Sequence, residues 1–276
     1  MVVEVNDDEI LVSDATEFDP QSTLTCGQVF RYGHENDFWW VIAGENYAKI
    51  YSLGEKNYKI VTTNPKFFVN YFDFDKDYAK IITELGKFDV LKKPIEYGRG
   101  IRILHQDLAE MIISFIISAC NRIPRIQKSL NLISEHFGIK HEWGYAFPTL
   151  EKLALISEND FKSFGCGYRS AYLVQTISVL TNSNFLSELA QMDTPTAKKA
   201  LKGLAGIGDK VADCILLFAL SRVDVFPVDT WIHKVYTDEF GGKEKNRAKI
   251  SRFLVDTFGA LSGYAQQYLF YYKRSN

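Results

Sequence analysis

The sequence is poor in cysteine: four occur, Cys26, Cys120, Cys166 and Cys214, far apart and with no metal-ligand spacing between them. Neither a disulfide scaffold nor a cysteine-built metal site is expected, and free thiols in a reducing, intracellular compartment are. No uninterrupted apolar run is long enough to span a bilayer. The N-terminus, MVVEVNDDEI, is acidic and lacks the basic and apolar regions of a signal peptide. No membrane role is expected. Internal repeats, low-complexity tracts, phosphate-binding P-loops and metal clusters are also missing, which removes solenoids, disordered linkers and P-loop nucleotide hydrolases from consideration. Nor is positive charge in excess, with 32 Lys+Arg against 34 Asp+Glu.

What is present is charge segregation. Residues 1–90 hold 8 Lys+Arg and 16 Asp+Glu, whereas residues 91–276 hold 24 and 18. The later segment can therefore carry a positive face although the chain as a whole is nearly neutral. The length, 276 residues, suffices for two domains with substantial cores, and a hydrophobic content of 46% is that of an ordinary globular protein.

Aromatic and β-branched segments, FWWVIAG, NYAKIYSLG and NYKIVTT, make residues 1–62 β-rich, and their spacing suggests an antiparallel meander. Asn64-Pro65 starts a helix through Tyr71, and a second helix covers 77–85 and stops at Gly86. GRGIRILHQD, residues 98–107, reads as a basic linker. Beyond it the chain reads as almost wholly helical. Asp107 caps a very apolar helix that Asn121 to Arg125 interrupts. Thr149 and Ser157 cap two short helices, and the exposed turn Gly165 to Arg169 leads into another. The expected organisation is mainly α with an N-terminal α+β domain: an antiparallel-sheet domain over 1–98 and a helical domain over 99–276.

One stretch carries chemistry, LKGLAGIGDKVADCILLFALSRVDVFPVDTWIHKVY over residues 201–236. Two helices flank the turn Ala205-Gly206-Ile207-Gly208, making a helical hairpin at 201–222. The second helix presents free N–H groups and its positive dipole end at that turn, a ready site for a phosphate. Lys210 and Cys214 share one face of it. Asp229, after Pro227-Val228, is placed as a helix N-cap. A desolvated lysine can act as an amine nucleophile, and a nearby carboxylate can stabilise a cationic transition state.

GIGDKVADC followed by PVD resembles the helix-hairpin-helix Gly-Pro-Asp superfamily of DNA glycosylases, and its 8-oxoguanine DNA glycosylase/abasic-site lyase branch in particular. The resemblance runs from Gly27 to Phe270, with the motifs in the family's order. It implies that Lys210 is the nucleophile and Asp229 its essential partner. Gly27, in Cys26-Gly27-Gln28-Val29-Phe30-Arg31, resembles the family's glycine whose carbonyl accepts N7–H of the damaged base. Normal guanine offers an acceptor at N7, so a fixed carbonyl there repels it. Cys214 and Phe270 are implied to hold the two faces of the base and Gln266 its Watson–Crick edge. Asn121 and Arg125, in SACNRIPRI, and Arg169 are implied to read the orphaned cytosine. The first asparagine of the family's stretch is replaced by Cys120. Tyr168 is implied to wedge into the stack. Gly206 and Gly208 are implied to hold a phosphate, directly or through a monovalent cation, and Trp231 stands where the family often has a DNA-contacting histidine.

The implied function is excision of 8-oxoguanine from duplex DNA followed by β-elimination, by a monomer located in the cytoplasm and associated with the nucleoid in a prokaryote. No cofactor is implied. The iron–sulfur cluster of another branch needs four clustered cysteines, and these four are dispersed. Each residue also has a plainer reading: Lys210 and Asp229 as solvated residue and cap, Gly27 as a turn, Arg125 as a solvated helix start, Tyr168 and Phe270 as core. Two other functions compete, a glycosylase for another damaged purine and a non-catalytic DNA-damage-binding protein. The pairing of Lys210 with Asp229 favours an enzyme.

Overall fold

Alternating apolar and polar side chains in the N-terminal region form a six-stranded antiparallel sheet. The strands are β1 (Val2–Val5), β2 (Glu9–Ser13), β3 (Tyr32–Glu35), β4 (Phe38–Ala43), β5 (Asn46–Gly54) and β6 (Asn57–Val61). The computed structural model describes residues 1–276. The sheet order is β1-β2-β6-β5-β4-β3, the expected meander from β3 to β6 extended by the β1–β2 pair. Glu55 and Lys56, both at positive φ, make the two-residue turn between β5 and β6, whose twist suits a hairpin. Ile10, Val12, Val41, Ala48, Ile50 and Ile60 bury one face of the sheet beneath Phe18, Phe68 and Phe72.

Several features depart from the sequence reading. Helix α1 (Pro20–Thr25) interrupts the β-rich region; Asp19 caps it by accepting from the Ser22 N–H at 2.7 Å, with Pro20 in its first turn. Helices α2 (Pro65–Tyr71) and α3 (Tyr78–Leu85) follow as expected, but a 3₁₀ turn, Asp89–Leu91, and α4 (Lys92–Tyr97) come next. Residues 98–107 are not a solvated linker. Ile101, Arg102, Ile103, Leu104 and Gln106 are buried. The Arg102 guanidinium donates to the carbonyls of Phe72 at 2.8 Å, Glu17 at 3.1 Å, Lys76 at 3.0 Å and Asp73. It lies 4.0 Å from the Tyr78 ring centroid. A lone buried guanidinium is costly unless its donors are met, and here four carbonyls meet them.

The rest of the chain comprises α5 (Leu108–Ser118), α6 (Ile123–Phe137), α7 (Leu150–Leu153), α8 (Glu158–Ser163), α9 (Arg169–Thr181), α10 (Phe185–Gln191), α11 (Thr194–Lys202), α12 (Asp209–Ala219), α13 (Thr230–Phe240), α14 (Arg247–Phe258) and α15 (Ser262–Ser275). A small unexpected hairpin, β7 (Lys140–His141) with β8 (Gly144–Tyr145), sits among them. Asp107, Thr149, Ser157 and Asp229 cap their helices as read from the sequence. Two cores result. The smaller joins the sheet to α2; the larger is helical. Tyr78, Ile81, Leu85 and Leu91 belong to the larger, and Tyr78 packs edge-on against Tyr264 of α15. The two cores interleave along the chain, since Cys26 and Phe30 belong to the larger and Leu104 to the smaller, and the apolar face of α3 is turned toward the helices.

Candidate active site

Gly27 lies where α1 ends. Its φ of +86° belongs to the left-handed region that glycine occupies without strain. Gln28 pins this loop. Its side chain is fully buried, donates to the carbonyls of Thr23 at 2.9 Å and Arg102 at 2.7 Å, and accepts from the Leu104 N–H at 2.9 Å. Gln106 donates back to the Gln28 carbonyl at 2.8 Å, and Gln267 of α15 to the Cys26 carbonyl at 2.8 Å. Each such bond is worth about 1 kcal/mol net, and a buried group left bare costs about 1–3 kcal/mol. Arg31 is buried 3.5 Å from Glu110 of α5 and ties the loop to the helical core. The Gln-x-x-Arg part of the segment is therefore scaffolding that fixes the position of Gly27.

The hairpin forms as read. Leu201, Leu204 and Ile207 are buried between α11 and α12. Gly206, at φ +82°, supplies the reversal, and a Cβ there would stand 2.8 Å from the Tyr172 ring. Gly208 is extended instead, at φ −98° and ψ −177°, and a Cβ on it would meet nothing. Of the two glycines expected to hold a phosphate, only Gly208 faces open space at the start of α12. Gly206 makes the turn and packs on Tyr172 while also lining the cleft described below.

Helix α12 brings up Lys210, whose Nζ lies 5.3 Å from the Phe115 ring centroid, and the buried Cys214. Burial pushes the Cys214 thiol up to about 11. It is therefore a neutral packing surface and a poor nucleophile, since the thiolate is the reactive form. Asp229 Oδ1 accepts from the backbone N–H groups of Trp231 at 3.0 Å and Ile232 at 2.9 Å. One carboxylate oxygen thus caps α13 and fixes the group's orientation.

A cavity of about 50 Å³ is lined by Gly27, Lys210, Cys214, Asp229, Gln266 and Phe270 together. These are all of the residues expected to catalyse and to hold the base. Gln266 Oε1 is buried with no hydrogen-bond partner. Beside this cavity, and sharing Gly27, Lys210, Asp229 and Phe270 with it, is a cleft of about 920 Å³. Asn121, Trp231, Gly206 and Gly208 also line that cleft. So do Arg122, Arg247 and Arg274, which the sequence reading did not select. Arg274 was legible: Gln266, Phe270 and Arg274 recur every four residues on one helix. Arg122 and Arg247 carried no comparable signal.

Two expected DNA-contacting side chains are engaged within the protein. Arg169 was expected to reach the base opposite the lesion, but it is buried. Its Nε donates to the Ala119 carbonyl at 2.7 Å, its Nη1 to Cys166 at 3.3 Å and its Nη2 to Cys120 at 3.1 Å. It staples α9 to the loop between α5 and α6, where Cys120 sits at φ +50°. Asn121, on the cleft wall, donates to the Ile117 carbonyl at 3.1 Å and accepts from the Arg122 N–H at 2.9 Å. It finishes α5. Arg125 is exposed and without a side-chain partner. Tyr168 is 59% exposed, which excludes the reading of it as core, and its ring lies 4.5 Å from the stapled Arg169 guanidinium. Trp231 is half-buried with the Lys234 ammonium 4.7 Å from its ring.

Lys210 of the helical hairpin and the α13 cap Asp229 thus line one cleft together. Residues 10–112 match the family model for the 8-oxoguanine DNA glycosylase N-terminal domain. The N-glycosylase/DNA lyase OGG1 of Arabidopsis thaliana is 34% identical over 204 residues, which cover 66% of this chain and 56% of that protein. The probable N-glycosylase/DNA lyase of Methanothermobacter thermautotrophicus is 30% identical over 208 residues, 67% of each chain. The crystal structure of Clostridium acetobutylicum 8-oxoguanine glycosylase/lyase in complex with dsDNA containing cytosine opposite to 8-oxoG superposes with a TM-score of 0.93. It shares 38% identity and covers 100% of this chain and 98% of its own. The chain belongs to the 8-oxoguanine DNA glycosylase family.

Proposed function

We propose that this protein is a bifunctional repair enzyme that excises 8-oxoguanine from double-stranded DNA and cleaves the resulting abasic site. The observation that carries this reading is the convergence of Gly27, Lys210, Cys214, Asp229, Gln266 and Phe270, from separate parts of the chain, on one cavity. The reacting sugar carbon is inaccessible within the stack, so the nucleotide must be extruded into that cavity. The base lies between Phe270 and the neutral Cys214 thiol. Gln266 Oε1 takes hydrogen bonds from its Watson–Crick edge, and the clamped Gly27 carbonyl takes N7–H. Lys210, as the free amine, attacks C1′ and the glycosidic bond breaks, its electron pair leaving with the base. Asp229 stabilises positive charge on the sugar. The bound nitrogen loses a proton and the C1′–O4′ bond breaks, O4′ taking up a proton as the sugar ring opens, which leaves an imine on Lys210. The imine acidifies the 2′ position, and loss of that proton expels the 3′ phosphate.

Tyr168, whose exposure supports this role, fills the space the base vacates, and Arg125, exposed and without a side-chain partner, contacts the opposite base. The N–H groups at Gly208 and the start of α12 take a backbone phosphate, with Trp231 across the cleft. Hairpin carbonyls, among them that of Ile207, which accepts no backbone hydrogen bond, are oxygen donors of the kind an alkali cation takes. A monovalent cation held there would bridge to the same phosphate. No metal or cluster enters the chemistry we propose, because amine and carboxylate supply nucleophile and charge. No helix is long and apolar enough to cross a membrane; three of the four cysteines are buried free thiols, which supports a reducing, intracellular site of action. Trapping of an enzyme–DNA adduct with borohydride tests the reading.

A further inference from the structure

Arg274 sits in the last turn of α15, one turn beyond Phe270. Its Nη2 donates to the Thr25 carbonyl, two residues before Gly27. Its guanidinium carbon lies 5.2 Å from the Phe270 ring centroid. Its Nη1 is buried and meets no acceptor in the protein. That same nitrogen lies 3.0 Å from where a Cβ on Gly27 would stand, the same distance as Phe270 Cε1. Arg274 also lines the large cleft together with Gly27, Lys210 and Asp229. A cationic N–H shut off from water without a partner is costly, and native interiors seldom tolerate one without reason. Arg274 is not itself on the wall of the small base cavity, but it packs directly behind Gly27 and Phe270, which are, so this donor stands beside the cavity without a protein acceptor.

We propose that Arg274 is a specificity-determining residue whose Nη1 donates to an exocyclic carbonyl oxygen on the N7 edge of the extruded purine. This rests on the reading of the cavity as an 8-oxoguanine pocket. Around N7–H of that base the nearest exocyclic oxygens are O8 and O6. The Gly27 carbonyl and the Arg274 guanidinium together offer an acceptor beside a donor, which matches N7–H beside C=O. The pair divides the rejection of normal bases. Guanine presents an acceptor at N7 to the Gly27 carbonyl. Adenine presents that acceptor as well, and its amino donor at C6 faces the guanidinium. Discrimination by buried polar groups is strong because the wrong base leaves them unpaired.

The test measures single-turnover excision of 8-oxoguanine opposite cytosine, and β-elimination at a preformed abasic site, for wild type, Arg274→Met and Arg274→Lys. Methionine keeps an unbranched apolar stem and removes every donor. The expected result is a loss of about tenfold or more in excision for Arg274→Met. Arg274→Lys should recover part of it, and both variants should retain β-elimination. 8-Oxoadenine opposite cytosine separates the two oxygens. An equal loss on both lesions assigns O8, and a loss confined to 8-oxoguanine assigns O6. Wild-type excision by Arg274→Met overturns the proposal. So does parallel loss of excision and β-elimination with a lowered Tm, which would reduce Arg274 to a brace for Thr25. A wild-type enzyme inactive on 8-oxoguanine but active on abasic sites would instead refute the pocket reading, and this proposal with it.

Discussion

Gly27 and Phe270 approach so closely that a Cβ added to the glycine would stand 3.0 Å from Cε1 of the ring. The glycine is also at φ +86°, where an L side chain costs roughly 1–2 kcal/mol. Gly27→Ala should therefore displace both the carbonyl and the ring that define the base cavity. Misplacement of this kind lowers rates by up to about a hundredfold. Excision of 8-oxoguanine should fall by that order while β-elimination at a preformed abasic site is nearly retained. Loss of both activities together would assign Gly27 to folding alone.

Asp229 combines a cap with a charge. Asp229→Asn keeps a side-chain oxygen for the Trp231 and Ile232 N–H groups but removes the negative charge. The excision step should slow by about 2–4 kcal/mol in barrier, as for other preorganised electrostatic groups, and affinity for lesion duplex should change little. Single-turnover kinetics beside equilibrium binding separate the two. Equal losses in both would make Asp229 a structural cap.

Arg125 and Arg169 make opposite predictions. Arg125 is exposed and presents only donors, which suit the O2 and N3 acceptors of an unpaired cytosine better than adenine, with its amino group. Excision should be faster opposite cytosine than opposite adenine, and Arg125→Ala should narrow the gap without lowering Tm. Arg169→Ala removes a buried staple and should cost about 2–4 kcal/mol of stability while slowing excision opposite both bases alike. Rates must be compared at one salt concentration, because phosphate contacts are salt-dependent. An undiminished gap in Arg125→Ala would contradict the assignment.

Asp213 gives a pH dependence. It is 1% exposed, with Oδ2 accepting from Lys198 Nζ at 2.9 Å and Oδ1 2.7 Å away without hydrogen-bond geometry. Burial pushes its carboxyl up to about 6, against the pull of Lys198. The folded value exceeds the unfolded one, about 3.9. Its contribution is therefore full below pH ~4 and is lost as pH rises through ~6, a loss on the order of 2–3 kcal/mol. Denaturant unfolding at pH 4.5 and pH 7 should show wild type losing more stability across that window than Asp213→Asn. Glu110 shifts in the same direction through burial, so the difference between the two proteins is the quantity to read. Identical pH slopes would contradict this account of Asp213.

The sequence carried the caps and the hairpin well. Asp107, Thr149, Ser157 and Asp229 each sit before their helices because a side-chain oxygen meeting free N–H groups is a local device that local sequence reveals. It carried the cavity through motif resemblance, since nothing in residue spacing brings Gly27 to Phe270. It did not foresee the burial of Arg169 or of the segment around Arg102, polar residues in loop-like sequence. Whether such a group faces solvent or a backbone carbonyl is decided by tertiary packing. Arg102 and Arg169 look alike in sequence to the exposed Arg125, and only the carbonyls of Phe72, Glu17 and Ala119 set them apart. The unforeseen α1 shows the same limit: Asp19-Pro20 is a helix start that the surrounding β-rich pattern obscured.

The central claim is that the Lys210 amine becomes bonded to the sugar. Borohydride reduction during reaction with duplex containing 8-oxoguanine opposite cytosine should trap a covalent enzyme–DNA adduct, and Lys210→Gln should abolish it while the variant still binds the duplex. An adduct of undiminished yield from Lys210→Gln would place the nucleophile elsewhere and contradict the account.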